Sequence, residues 1–107
     1  MEHARLQQIV QRARSELSRL LGDRLHLLLL YGSQARAEAT AGSDIDLVVV
    51  IAGAFDYGEL IEQTSPLMGA LSLEHDVVIS RAFVSQERFE REASPFVLNV
   101  RREGIPV

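Results

Sequence analysis

Asp44 and Asp46 stand one residue apart at the mouth of the apolar run IDLVVVIA, and a third acid, Asp76, opens a second such run, EHDVVIS. In a strand, residues two apart point to the same face. Asp44 and Asp46 therefore project together, while Ile45, Leu47 and Val49 face the other way. If the two runs pair in register as neighbouring strands, all of these carboxylates converge on one edge of a sheet. Anions so close repel one another unless a cation sits among them, and hard oxygen donors suit Mg²⁺ or Mn²⁺. Two such ions, about 3.5–4 Å apart, clamp an in-line displacement at phosphorus. One activates the attacking oxygen, and the other steadies the triphosphate and its leaving group.

The pair Gly32-Ser33 stands ten residues ahead of Asp44. A glycine followed by a hydroxyl at the end of a strand lets backbone N–H groups approach a phosphate closely. The following QARAEA reads as a helical turn whose N-terminus is electrically suited to the same anion. Arg36 reaches the triphosphate from that turn. Together with Ser43, beside the aspartates, Gly32, Ser33 and Arg36 are the expected nucleotide-binding residues, and Asp44, Asp46 and Asp76 the expected catalytic and metal-binding ones.

Several elements must hold these groups in place. Leu6, Ile9, Val10, Ala13, Leu17, Leu20 and Leu21 recur at helical spacing and predict an amphipathic helix stopped by Gly22. RLHLLLLYGS predicts a buried strand feeding a turn, and IDLVVVIA a second strand stopped by Gly53. FDYGELIEQTSPLMGALSL predicts a helix that Pro66 kinks or divides. EHDVVIS is the third strand. SQERFEREASPFVLNVRREG gives one or two short helices, with Ser94 as N-cap, Pro95 at the first helical position, and Arg101 and Arg102 near the end. The order α-β-β-α-β-α predicts an α/β or α+β domain over residues 1–107, a small mixed sheet flanked by helices.

Composition sets bounds on the chemistry. At 107 residues the chain is read as one domain with one core. Its 11 basic against 15 acidic residues leave a net charge of −4, which argues against a phosphate-driven grip on nucleic acid. There is no cysteine, so disulfides, thiolate metal sites and a cysteine nucleophile are excluded. The first twenty residues are charged throughout and lack the apolar core of a signal peptide. Apolar runs such as LLLLY are far short of a membrane span. The expected location is the cytoplasm, with no membrane partner.

Gly32-Ser33, the spacer Gln34 to Ser43, Asp44-Ile45-Asp46 and the later Asp76 resemble the signature of the nucleotidyltransferase superfamily in its minimal form, the MNT domain. GSQAR, SDIDLVV and the tail NVRREGI are similar to the family as well, and the resemblance covers nearly the whole chain. Ala37 departs from it, since many relatives carry glycine there, a minor change in a helical turn. The resemblance implies transfer of a nucleoside monophosphate from an NTP to an acceptor hydroxyl, with release of pyrophosphate. It implies that Asp44 and Asp46 bind both metals, that Asp76 holds the catalytic metal and helps deprotonate the acceptor, and that Gly32 and Ser33 hold the β/γ-phosphates.

Larger relatives carry an extra domain for the acceptor, so here the acceptor is expected on another molecule. Stand-alone MNT proteins resemble the antitoxin half of HEPN/MNT toxin–antitoxin pairs. That implies transfer of AMP from ATP to a tyrosine of a cognate HEPN toxin, an RNase, with homo- or hetero-oligomers as the setting. Two other readings stay open: an antitoxin that neutralises its partner by occlusion, and a small-molecule nucleotidyltransferase.

The remaining polar residues carry blander expectations. His26 is read as a satisfied sheet residue, and His75 as pointing to the other face from Asp76. Tyr31 and Tyr57 are packing residues, Glu38 is solvated, and Arg12, Arg14, Arg19 and Arg24 form the solvated side of the first helix. Phe96, Val97, Leu98 and Val100 are too apolar for a free tail and pack on this core or a partner.

Overall fold

The computed structural model describes residues 2–32, 34–35 and 44–107. Its helices and strands follow the order α1 (His3–Leu21), β1 (Leu25–Tyr31), β2 (Ile45–Ile51), α2 (Tyr57–His75), β3 (Ile79–Ser85), α3 (Gln86–Arg91), α4 (Pro95–Glu103) and β4 (Ile105–Pro106). The strands form a mixed sheet in the order β3-β2-β1-β4. β1 runs antiparallel to both β2 and β4, whereas β3 runs parallel to β2 after the α2 crossover. The expected mixed α/β architecture is therefore present, with one short strand added at the end.

Alternation along the strands divides the core in two. Ile45, Leu47, Val49 and Ile51 of β2 face the same side as Leu28 and Leu30 of β1 and Phe83 of β3. That side is covered by α1 through Leu6, Ile9, Val10, Ala13, Leu17 and Leu21, and by α2 through Leu60, Met68 and Leu71. Leu20, expected on the same stripe, is left 46 % exposed because Leu21 takes the inward position. On the opposite side Leu29, Val48, Val50 and Val84 pack under Val97 and Val100 of α4. With both faces covered, β2 reads as a continuous apolar run after Asp46, as buried parallel-type strands do.

α2 runs unbroken through Pro66 rather than dividing there. Proline removes the N–H that would bond Glu62 O, and side chains brace the carbonyls just before that one. Thr64 Oγ1 donates to Leu60 O at 2.8 Å, Ser65 Oγ donates to Ile61 O at 2.7 Å, and the Arg81 guanidinium reaches Ile61 O at 2.9 Å from β3. Arg81 Nε also donates to Thr64 Oγ1 at 3.0 Å, so the same residue ties the helix to the sheet.

The end of α2 corrects the boundary drawn from sequence. The helix continues to His75, and Asp76 is its C-cap, in the left-handed region at φ +52°. The N–H groups of Asp76 and Val77 both bond Ser72 O, closing the helix in the manner of paired C-terminal caps. β3 starts only at Ile79, so Asp76 does not open a strand, and His75 has no sheet face to point from.

At the C-terminal side Ser94 and Pro95 take the expected N-cap and first helical positions of α4. β4 was not foreseen: two residues are too few to show alternation. It pairs Ile105 with Leu30 and Pro106 with Leu29, and Val107 N–H bonds Leu28 O at 3.0 Å.

Candidate active site

Because β1 and β2 are antiparallel and β3 is parallel to β2, the end of β1 and the starts of β2 and β3 meet at one sheet edge. Asp44 precedes β2 and is exposed; Asp46 is its second residue and is half-buried. Ile45 between them is fully buried under the first two helices, which confirms the alternation read from the sequence. Ile45 N–H bonds Val78 O at 2.9 Å, starting the β2–β3 ladder beside the acids.

Asp46 is held from two sides. Ser80 lies directly opposite it on β3, and the Ser80 hydroxyl donates to Asp46 Oδ1 at 2.5 Å. On the other side Tyr31 is its partner on β1, and Gly32 follows with φ +77°. A Cβ at Gly32 would stand 2.6 Å from Asp46 Oδ2, so any side chain there would collide with the carboxylate. The glycine of the Gly-Ser pair is thus required twice, for its backbone conformation and for the room that Asp46 fills.

Next to Asp46 and Ser80 lies a cleft of about 260 Å³, also lined by Tyr31, Val48, Ala82 and Phe96. The rings of Tyr31 and Phe96 meet edge to face, with centroids 6.2 Å apart. Phe96, the second residue of α4, remains 41 % exposed. The cleft therefore has carboxylate and hydroxyl at one end and an aromatic wall along the side.

The expected convergence of all three acids is not what the register produces. Parallel pairing sets Asp46 against Ser80 and Ile45 against Ile79, while Asp76 sits at the helix end. It borders a separate recess with Ser72, Leu73, Val77 and Val78. Among the described residues no three acids or histidines are grouped as metal ligands. The donor chemistry of Asp44 and Asp46 still fits a hard divalent cation, since two carboxylates two residues apart at a strand mouth can share one ion. Ser33, Arg36 and Ser43, assigned to the nucleotide, lie outside the described residues, as do Ala37 and Glu38.

Other side chains settle into structural roles. Tyr57 packs against Phe83 with centroids 5.5 Å apart, and its hydroxyl accepts Phe83 N–H at 3.4 Å. His26 is exposed at an irregularity in the β1–β2 pairing. The exposed arginines of α1 are not only solvated: Arg12 pairs with Glu74 of α2, and Arg14 donates to Val107 O at 2.7 Å. No helix among the described residues is long and apolar enough to cross a membrane.

Ser80 and Phe96 are the site residues that sequence reasoning missed. Matching Ile45, Leu47, Val49 and Ile51 against Ile79 and Phe83 by apolar pattern would have set β3 in register and brought Ser80 to Asp46. In the sequence Phe96 is one residue of an apolar segment, and no local pattern sets it apart.

The family model for polymerase beta-type nucleotidyltransferases matches residues 15–94 of the chain. The chain belongs to this nucleotidyltransferase family. A Methanocaldococcus jannaschii protein classed as a candidate protein adenylyltransferase is 34 % identical over 82 residues, which is 76 % of each chain. Among solved structures, this nucleotidyltransferase resembles a toxin–antitoxin complex with AMP-PNP, at 24 % identity and a TM-score of 0.59 over 90 % of this chain and 70 % of that one. It also resembles a mutant of the toxin–antitoxin MntA-HpeT, at 25 % identity and a TM-score of 0.58, covering 91 % of this chain and 70 % of that one.

Proposed function

We propose that this nucleotidyltransferase transfers AMP from ATP to a tyrosine of a partner protein, a HEPN toxin with RNase activity, and silences it. The observation that carries the reading is the sheet edge itself, where Asp44 leads into β2 and Asp46, its second residue, is oriented by Ser80 and Gly32. The adenylyltransferase classing of the M. jannaschii relative supports AMP as the group moved. The likeness to toxin–antitoxin structures, one of them with an ATP analogue, supports ATP and a toxin as the substrates.

In this reading Asp44 and Asp46 hold Mg²⁺, which supplies charge neutralisation at the triphosphate and its leaving group. Gly32, with Ser33, Arg36 and Ser43, receives the phosphates. The tyrosine oxygen attacks the α-phosphorus, the bond between the α- and β-phosphates breaks, and pyrophosphate leaves. The phenol proton passes to a carboxylate at this edge or to water. The cleft beside Asp46, walled by Tyr31 and Phe96, offers the acceptor ring an aromatic surface.

A second reading draws on the position of Asp76 away from Asp46: the protein could neutralise its partner by binding alone. Asp44→Asn separates the two. Under catalytic silencing, the variant loses transfer by at least about a hundredfold, as expected when charge stabilisation of several kcal/mol is removed, and cells carrying the toxin are no longer protected. Under occlusion, protection survives the substitution.

A further inference from the structure

We infer that the acidic edge is a one-cation site: Asp44 and Asp46 share a single divalent ion, and Ser80 occupies the strand position from which a third carboxylate would bring a second. This rests on the reading of Asp44 and Asp46 as the metal-holding pair. A two-ion clamp spaces its ions about 3.5–4 Å apart and needs anionic ligands facing both. On this sheet the residue able to supply them is the one opposite Asp46 on β3, pointing to the same face. That residue is Ser80, whose hydroxyl donates to Asp46 Oδ1 at 2.5 Å. A neutral donor bonded in this way adds no charge for a second ion. It orients the carboxylate it touches.

Asp76 does not replace it. Four positions separate it from Ser80, and the intervening chain starts from a left-handed helix cap. Asp76 therefore stands on the cap and not on the strand position that faces Asp46. Asp76 borders a recess that Asp46 does not line, and no three acids or histidines gather as ligands among the described residues. Ser80 is therefore a positioning residue for Asp46, and Asp76 is a helix cap.

The test uses the full chain and Mn²⁺ alone as probe, with free Mn²⁺ read by electron paramagnetic resonance and unfolding followed in parallel. Asp46→Asn weakens Mn²⁺ binding about tenfold or more, Asp76→Asn leaves it unchanged, and Ser80→Asp tightens it about tenfold by adding a charged ligand. Ser80→Asp also sets like charges opposite each other on neighbouring strands, which is destabilising, so its melting temperature falls in chelator and recovers with Mn²⁺. The inference is overturned if Asp76→Asn weakens Mn²⁺ binding as much as Asp46→Asn does, or if Ser80→Asp leaves it unchanged. Asp76→Asn changes an exposed side chain and keeps the test decisive should Ser80→Asp fail to fold. If Asp44→Asn and Asp46→Asn both leave Mn²⁺ binding intact, the metal-holding pair itself is wrong, and the proposed function falls with it.

Discussion

Asp46 depends on what surrounds its two oxygens: a hydroxyl donor at Oδ1 and the bare Cα of Gly32 at Oδ2. Gly32→Ala tests this packing. The new methyl must displace the carboxylate, and the backbone must hold alanine at φ +77°. Left-handed or otherwise sparse backbone conformations cost about 1–3 kcal/mol each, so the variant should lose about that much unfolding free energy and its denaturation midpoint should fall. Its Mn²⁺ affinity should fall as well, a loss that simple destabilisation of the folded state would not produce below the unfolding transition. An unchanged denaturation midpoint and unchanged Mn²⁺ binding would contradict the close contact. At this scale Gly32, Asp44 and Asp46 were legible because residue type and local spacing carry their meaning. Ser80 was not, since its role exists only once β3 is aligned with β2, and no local pattern states that alignment.

α4 is the element that covers the second sheet face, and its start is stabilised by a small network. Ser94 Oγ accepts Val97 N–H at 3.4 Å and donates to Glu92 at 2.7 Å, while Arg88 holds the same carboxylate at 2.8 Å. The hydrogen bond from Arg88, then that from Ser94, pull the Glu92 carboxyl down from 4.5 to about 2. A carboxyl depressed by folding contributes stability that is fully present above its unfolded value and lost as pH falls through its folded value. Here that window runs from about 4.5 down to about 2. Denaturation midpoints measured across it should decline less steeply in Glu92→Gln than in the parent. Ser94→Ala removes the cap and should cost about 1 kcal/mol at neutral pH; no change would show that Pro95 and packing suffice to start the helix. Ser94 and Pro95 announced this helix in the sequence through side-chain and ring chemistry. The close of α2 was harder to place, because Asp76 suits a strand mouth and a left-handed cap equally, and only the bonds to Ser72 O decide between them.

Across the whole molecule, hydrophobic periodicity was enough to order the helices and the first three strands, and family-specific spacing was enough to find the Asp-x-Asp edge. What periodicity cannot state is which strands neighbour each other and at what offset, and both the site composition and β4 depend on that. The assembled fold leaves the edge accessible beside a cleft walled by Tyr31 and Phe96, while α1 and α2 close the other face. An enzyme built this way can act on a residue presented by another protein. The most direct measurement incubates the protein and the proposed toxin partner with Mg²⁺ and ATP labelled at either the α- or the γ-phosphate, with Asp44→Asn alongside. The predicted result is α-label on a tyrosine of the partner, absent with γ-labelled ATP and absent in the variant. Label arriving from the γ-position, or α-label that persists in Asp44→Asn, would contradict nucleotidyl transfer at this edge.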